Sequence, residues 1–92
     1  MRFEWDTNKN RKNLRKHGVS FEEILPVFRD PNLLIIPDPC EEEERWDAIG
    51  LVGTVMFVVY TERSEDVIRI ISARKATKEE RNGYQKHIHG RS

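Results

Sequence analysis

The residues best suited to chemistry in this 92-residue chain are cationic and fall late: Arg63, Arg69, Arg74, Lys75 and Arg81, with Glu80 and Tyr84 among them. Such a set suits attack on an RNA phosphodiester. A base takes the proton of the 2′-hydroxyl, and the 2′-oxygen attacks the adjacent phosphorus. Fixed cations stabilise the added charge on the phosphorane, and an acid protonates the departing 5′-oxygen. Arginine suits the electrostatic part because its planar fork matches phosphate oxygens. The same cations can also be read as surface charges paired with Glu62, Glu65, Glu79 and Glu80.

Spacing separates the two strongest candidates. Arg63 falls in a turn between two strand-like stretches, and Arg74 ends the second of them. A straight strand would set them roughly 25 Å apart, too far to share one phosphate. Arg74 is the preferred contact, with Lys75 adjacent and Glu80, Arg81 and Tyr84 close in sequence. A capping duty for Glu80 would hold it away from substrate. His17, next to Lys16, could exchange a proton near neutral pH. As a helix-end histidine it would instead interact with the last carbonyls. His87 and His89 are two apart and would not share a helix face, and no carboxylate cluster completes a metal set around them. Cys40 is the lone cysteine, so neither a disulfide nor a zinc knuckle follows. No cofactor motif is present.

Charge balances, with 16 Lys and Arg against 16 Asp and Glu, but it is segregated. Residues 1–18 and 48–92 are net basic, while residues 19–47, with the run Glu41–Glu44, are acidic. A basic surface built from both ends of the chain would suit a polyanion, because potential follows local clustering rather than the total. Two solvated helix faces would explain the same pattern. The chain opens on charged residues and lacks an apolar run long enough to span a membrane, which predicts a cytoplasmic protein without a membrane partner.

The elements that must position these groups read as α+β, in one domain over residues 1–92. Arg2–Trp5 reads as a short strand. Asp6 or Thr7 caps a nearly all-polar helix to His17, with Gly18 as terminator. Ser20 and Glu23 form a capping box for a second helix, whose apolar stripe is Phe21, Ile24, Val27 and Phe28. Pro26 lies inside it and predicts a kink or a shortened first turn. An antiparallel meander follows: Leu33–Pro37, Arg45–Val52, Thr54–Thr61 and Asp66–Ala73. Val55–Tyr60, apolar throughout, predicts a central strand covered on both faces. Thr77 and Glu80 box the start of a last helix to about His89, docked through Tyr84 and Ile88.

Several of these strings resemble the BrnT family of toxins. They are Phe3-Glu4-Trp5-Asp6 with Lys9 and Asn13, then Lys16-His17-Gly18-Val19-Ser20-Phe21-Glu22-Glu23, Val27-Phe28 and Asp30-Pro31. Glu44-Arg45-Trp46, Ile49-Gly50 and Val58-Val59-Tyr60-Thr61 with Arg63 continue the match, as do Arg69-Ile70-Ile71-Ser72-Ala73-Arg74-Lys75-Ala76, Glu80-Arg81 and Tyr84. Pro26 departs from the pattern. The resemblance implies a RelE-like fold: a small antiparallel meander with two N-terminal helices and a C-terminal helix. It implies a metal-independent ribonuclease that inhibits translation. It also implies neutralisation by a BrnA-type antitoxin with a ribbon-helix-helix domain, through which the complex binds operator DNA. RelE-type sites lean on Arg, Lys and Tyr, so Arg63, Arg74, Glu80 and Tyr84 are the catalytic candidates, with His17 added. Lys16, Arg69, Lys75 and Arg81 are the RNA-binding candidates. The competing readings are a non-catalytic nucleic-acid-binding module and an inactive toxin relic. The sequence shows no helix-turn-helix or ribbon-helix-helix pattern of its own.

Overall fold

The first helix, α1 (Thr7–His17), begins and ends where local chemistry dictates. The Asp6 carboxylate accepts the backbone N–H groups of Asn8 at 2.8 Å and Lys9 at 3.1 Å. Gly18 closes the helix at φ 72°, a left-handed conformation that glycine adopts without Cβ strain. The structure, a computed structural model, describes residues 1–90.

Five strands form one sheet: β1 (Arg2–Glu4), β2 (Leu34–Pro37), β3 (Trp46–Val52), β4 (Thr54–Ser64) and β5 (Val67–Lys75). Their spatial order is β1-β5-β4-β3-β2. β4 is therefore the central strand, as its unbroken apolar run requires. β2 through β5 form the expected antiparallel meander. The sheet as a whole is mixed, because β1 pairs parallel to β5, with Phe3 opposite Ile68. This corrects the expectation of a fully antiparallel sheet. Phe3 stacks on Phe28 at 5.2 Å between centroids, so the short N-terminal strand is fixed by side chains far along the chain.

The expectation of a second N-terminal helix is also corrected. Residues 21–24 are a turn, and Leu25–Arg29 is a 3₁₀ turn with Pro26 in its first positions. Proline lacks the N–H an α-helical ladder needs there. The chain makes the tighter bond Val27 N–H to the Ile24 carbonyl, at 2.9 Å, instead. The apolar stripe still reaches the core: Phe21, Ile24 and Val27 are fully buried. Gly50 lets this turn lie close to the sheet, since a Cβ there would meet Val27 Cγ1 at 3.0 Å. The last helix, α2 (Lys78–His89), carries the expected capping box, so the fold has two α-helices rather than three among the described residues.

Two apolar layers result. Val19, Phe21, Ile24 and Val27 pack with Ala48, Met56, Val58, Tyr60, Ile70 and Ala73 on one face of the sheet. On the other, α2 lays Tyr84 and Ile88 over Ile49, Val55 and Phe57. α1 docks differently. Its buried residue is Asn13, whose amide nitrogen donates to the Val19 and Ala73 carbonyls, both at 2.8 Å. The Asn13 amide oxygen accepts the Ala73 N–H at 3.1 Å. Asn13 thus stands in for a neighbouring strand along the edge of β5 that β1, which pairs only as far as Arg69, leaves open.

Candidate active site

Arg74 is the cation the fold holds most firmly. It projects on the α2 face, with its guanidinium carbon 4.2 Å from the centre of the Phe57 ring. Glu80, on the first turn of α2, grips both terminal nitrogens, at 2.7 and 2.9 Å. Nη1 also donates to the Lys75 carbonyl at 3.2 Å. Three of the five guanidinium N–H groups are so engaged: the end-on pair by Glu80 and the second Nη1–H by Lys75. The remaining pair, Nε–H and one Nη2–H, forms the side-on fork that fits two phosphate oxygens. The side chain is 32% exposed.

Glu80 does two jobs at once. Its Oε1 accepts the Thr77 N–H at 2.8 Å, closing the capping box, while the same carboxylate clamps Arg74. The Arg74 guanidinium, through those hydrogen bonds, holds Glu80 below the usual carboxylate range, and Glu80 in turn raises Arg74. The capping duty does not isolate Glu80, as its sequence position suggests, but brings it to Arg74.

Nothing in the sequence singles out Asp47. In the sheet, Ile49, Phe57 and Arg74 form one cross-strand row, and Asp47, Val59 and Ser72 form the next row on the same face. Asp47 is 5% exposed, and its Oδ1 has no hydrogen-bond partner among the described residues. Burial, and then a hydrogen bond with Asp38, push its carboxyl up to about 7. Asp38 moves the opposite way, lowered chiefly by that same hydrogen bond. The two carboxyls thus shift in opposite directions, as a buried group and its better-solvated partner do. Asp30 enters the sequence reading only within the Asp30-Pro31 pair of the family resemblance. Its Oδ2 accepts the Leu51 N–H at 2.8 Å, where β2 no longer covers β3, and also the Tyr84 hydroxyl. Burial raises Asp30, but these donors and the Asn32 N–H outweigh it and leave the group lowered. Tyr84 is raised to about 12 by burial and by Asp30.

The other sequence candidates are dispersed. Tyr84 is 2% exposed, with its hydroxyl committed to Asp30, so the fold uses it to tie α2 to the opposite layer. Arg63 lies at the far end of β4 in a depression of about 400 Å³ lined by Glu44, Glu62 and Glu65 beside Trp46. Six residues along β4 from Phe57, it is roughly 20 Å from the Arg74 row. Arg69 is paired with Glu4 at 2.6 Å. Arg81 donates to the Ala76 carbonyl at 3.0 Å. His17 and the exposed Lys16 end α1, and Gly18 lines a small depression with the exposed Lys75. The geometry therefore unites Arg74 and Glu80, adds Asp47, keeps Tyr84 in the apolar cluster with Phe57 but with its hydroxyl turned to Asp30, and leaves Arg63 and His17 elsewhere.

Comparison with known proteins gives the chain its class. Residues 5–80 match the family described as the ribonuclease toxin, BrnT, of type II toxin–antitoxin systems. The crystal structure of the Brucella abortus ribonuclease toxin BrnT superposes with a TM-score of 0.71 at 25% identity, covering 85% of this chain and 99% of that one. No curated protein sequence matches. The chain belongs to the BrnT family of ribonuclease toxins.

Proposed function

We propose that this protein cleaves RNA without a metal ion, with Arg74 stabilising the phosphorane. The observation that carries the reading is the free side-on fork of Arg74, presented while Glu80 and Phe57 hold the guanidinium still. A fixed, pre-oriented cation supplies electrostatic stabilisation without reorganising during the reaction. The 2′-oxygen attacks phosphorus, its proton passes to a base, and the 5′-oxygen leaves with a proton, giving a 2′,3′-cyclic phosphate. Glu80 is a positioning residue in this scheme. Lys75 and Lys16, both exposed, are available to flanking phosphates.

The biological reading extends from the family. RNA cleavage by a cytoplasmic toxin on a RelE-like scaffold would arrest translation. A BrnA-type antitoxin with a ribbon-helix-helix domain would neutralise it and carry the complex to operator DNA. A dedicated inhibitor must cover or displace the phosphate-binding group, so the complex should lose RNA affinity and its salt dependence together.

The direct test is cleavage of a defined RNA by the purified protein in excess EDTA. Unchanged cleavage with cyclic phosphate ends is expected. Loss of cleavage that a divalent ion restores would overturn the reading.

A further inference from the structure

α1 is docked by amides, and this dictates what its other side shows. Asn10 and Asn13 face inward: the Asn10 carbonyl oxygen accepts the Phe21 N–H at 2.8 Å, and its amide donates to Glu22 at 2.7 Å. Lys9, Arg11, Lys12, Arg15 and Lys16 are thereby all turned to solvent. Residues 7–17 include no Asp or Glu. Among the described residues, none of these five cations is in an ion pair, whereas Arg45, Arg69 and Arg74 each have one. Arg11 with Arg15 and Lys12 with Lys16 are like-charge i,i+4 pairs, which cost helix stability. Leu14, the helix's one aliphatic residue, is 47% exposed among them.

We infer that the outer face of α1 is a second site for the RNA backbone, continuous around the β5 edge with Arg74. The path is set by Asn13, which binds both backbone groups of Ala73, the residue next to Arg74. Consecutive strand residues point to opposite faces, so Arg74 opens on the face away from the α1-side core. β1 has ended by then, and α1 flanks that stretch of β5. A strand crossing Arg74 and leaving the sheet at β5 meets the α1 cations within about one helix diameter, ~10 Å. Five unpaired charges around a single exposed leucine favour a polyanion over a protein, which would bury more apolar surface at the centre of its interface.

This rests on the RNA-cleavage reading, and the test separates the two. The Lys12→Glu/Arg15→Glu double variant changes only exposed side chains. Its probe is a 2′-O-methyl RNA of about 20 nucleotides, which cannot be cut through a 2′-hydroxyl and is long enough to track a groove. Affinity should fall at least about tenfold, and the slope of log K against log salt should shrink by roughly 0.7 for each phosphate no longer neutralised. Cleavage of a trinucleotide, too short to reach α1, should match the parent. Unchanged affinity and slope on the long probe would overturn the inference. So would a variant that binds RNA like the parent but no longer binds the antitoxin, which would make α1 a protein-docking face. An equal reduction on long and short substrates would also overturn it. A parent that binds the probe through α1 yet cleaves no RNA would sink the cleavage reading and leave this site standing.

Discussion

Arg63 and Arg74 belong to the same pair of antiparallel strands, yet they are surrounded by opposite chemistry. Arg74 lies over an aromatic ring and is gripped by one carboxylate that leaves its Nε–Nη2 edge without a hydrogen-bond partner among the described residues. Arg63 is exposed, makes no ion pair among the described residues, and shares its depression with three glutamates. An unrestrained arginine must lose side-chain freedom before it can hold a phosphate, and nearby carboxylates repel that phosphate. On the proposed function, what sets Arg74 apart from Arg63 is what immobilises it, not its charge alone.

Each arginine offers a way to test the contrast. Arg74→Ala should lower RNA cleavage about 10²–10³-fold with little change in melting temperature, because it removes one transition-state partner from a partly exposed position. A fully active, folded variant would remove the distinction between the two arginines. Arg63→Ala should change cleavage by less than about threefold, since an exposed, unclamped cation contributes little. A loss comparable to that of Arg74→Ala would move the site to the other end of β4.

The surroundings of Arg74 carry a pH signature. Asp47 is raised to about 7 in the folded protein. A carboxyl raised in this way stabilises the fold fully below its unfolded value near 4, and that stability is lost as pH rises through about 7. Asp47→Asn does not titrate, so its stability advantage over the parent should widen across that window and level off above it. The gap at alkaline pH should be on the order of 1–3 kcal/mol, read from denaturation midpoints at several pH values. A gap that does not depend on pH would mean Asp47 is an ordinary carboxylate.

Features set by neighbouring residues are legible in the sequence. Asp6 and Gly18 mark both ends of α1, the Thr77–Glu80 box marks the start of α2, and the turns among apolar runs mark the meander. Pro26 is visible as a disruption, but its outcome depends on Gly50 letting a tighter turn settle on the sheet. Distant partners decide the rest. Asn13 meets Ala73 sixty residues away, and Asp30 meets Tyr84 across fifty-four. A polar residue carries no periodic mark that distinguishes a buried strut from a solvated side chain. Asp47 is hidden for the same reason: its environment comes from Asp38, Glu80 and Arg74 on three other segments. The pairing of Arg74 with Glu80 is within reach of the sequence because the two lie six residues apart.

The claim that a clamped fork performs the chemistry stands or falls on the single-turnover cleavage rate of Arg74→Lys. Lysine keeps the positive charge and removes the planar fork, so it separates charge from geometry. The expected rate is at least about tenfold below the parent, with the fold intact and RNA affinity largely retained. A lysine variant cleaving at the parent rate would show that any cation at this position suffices, contradicting a role for the fork.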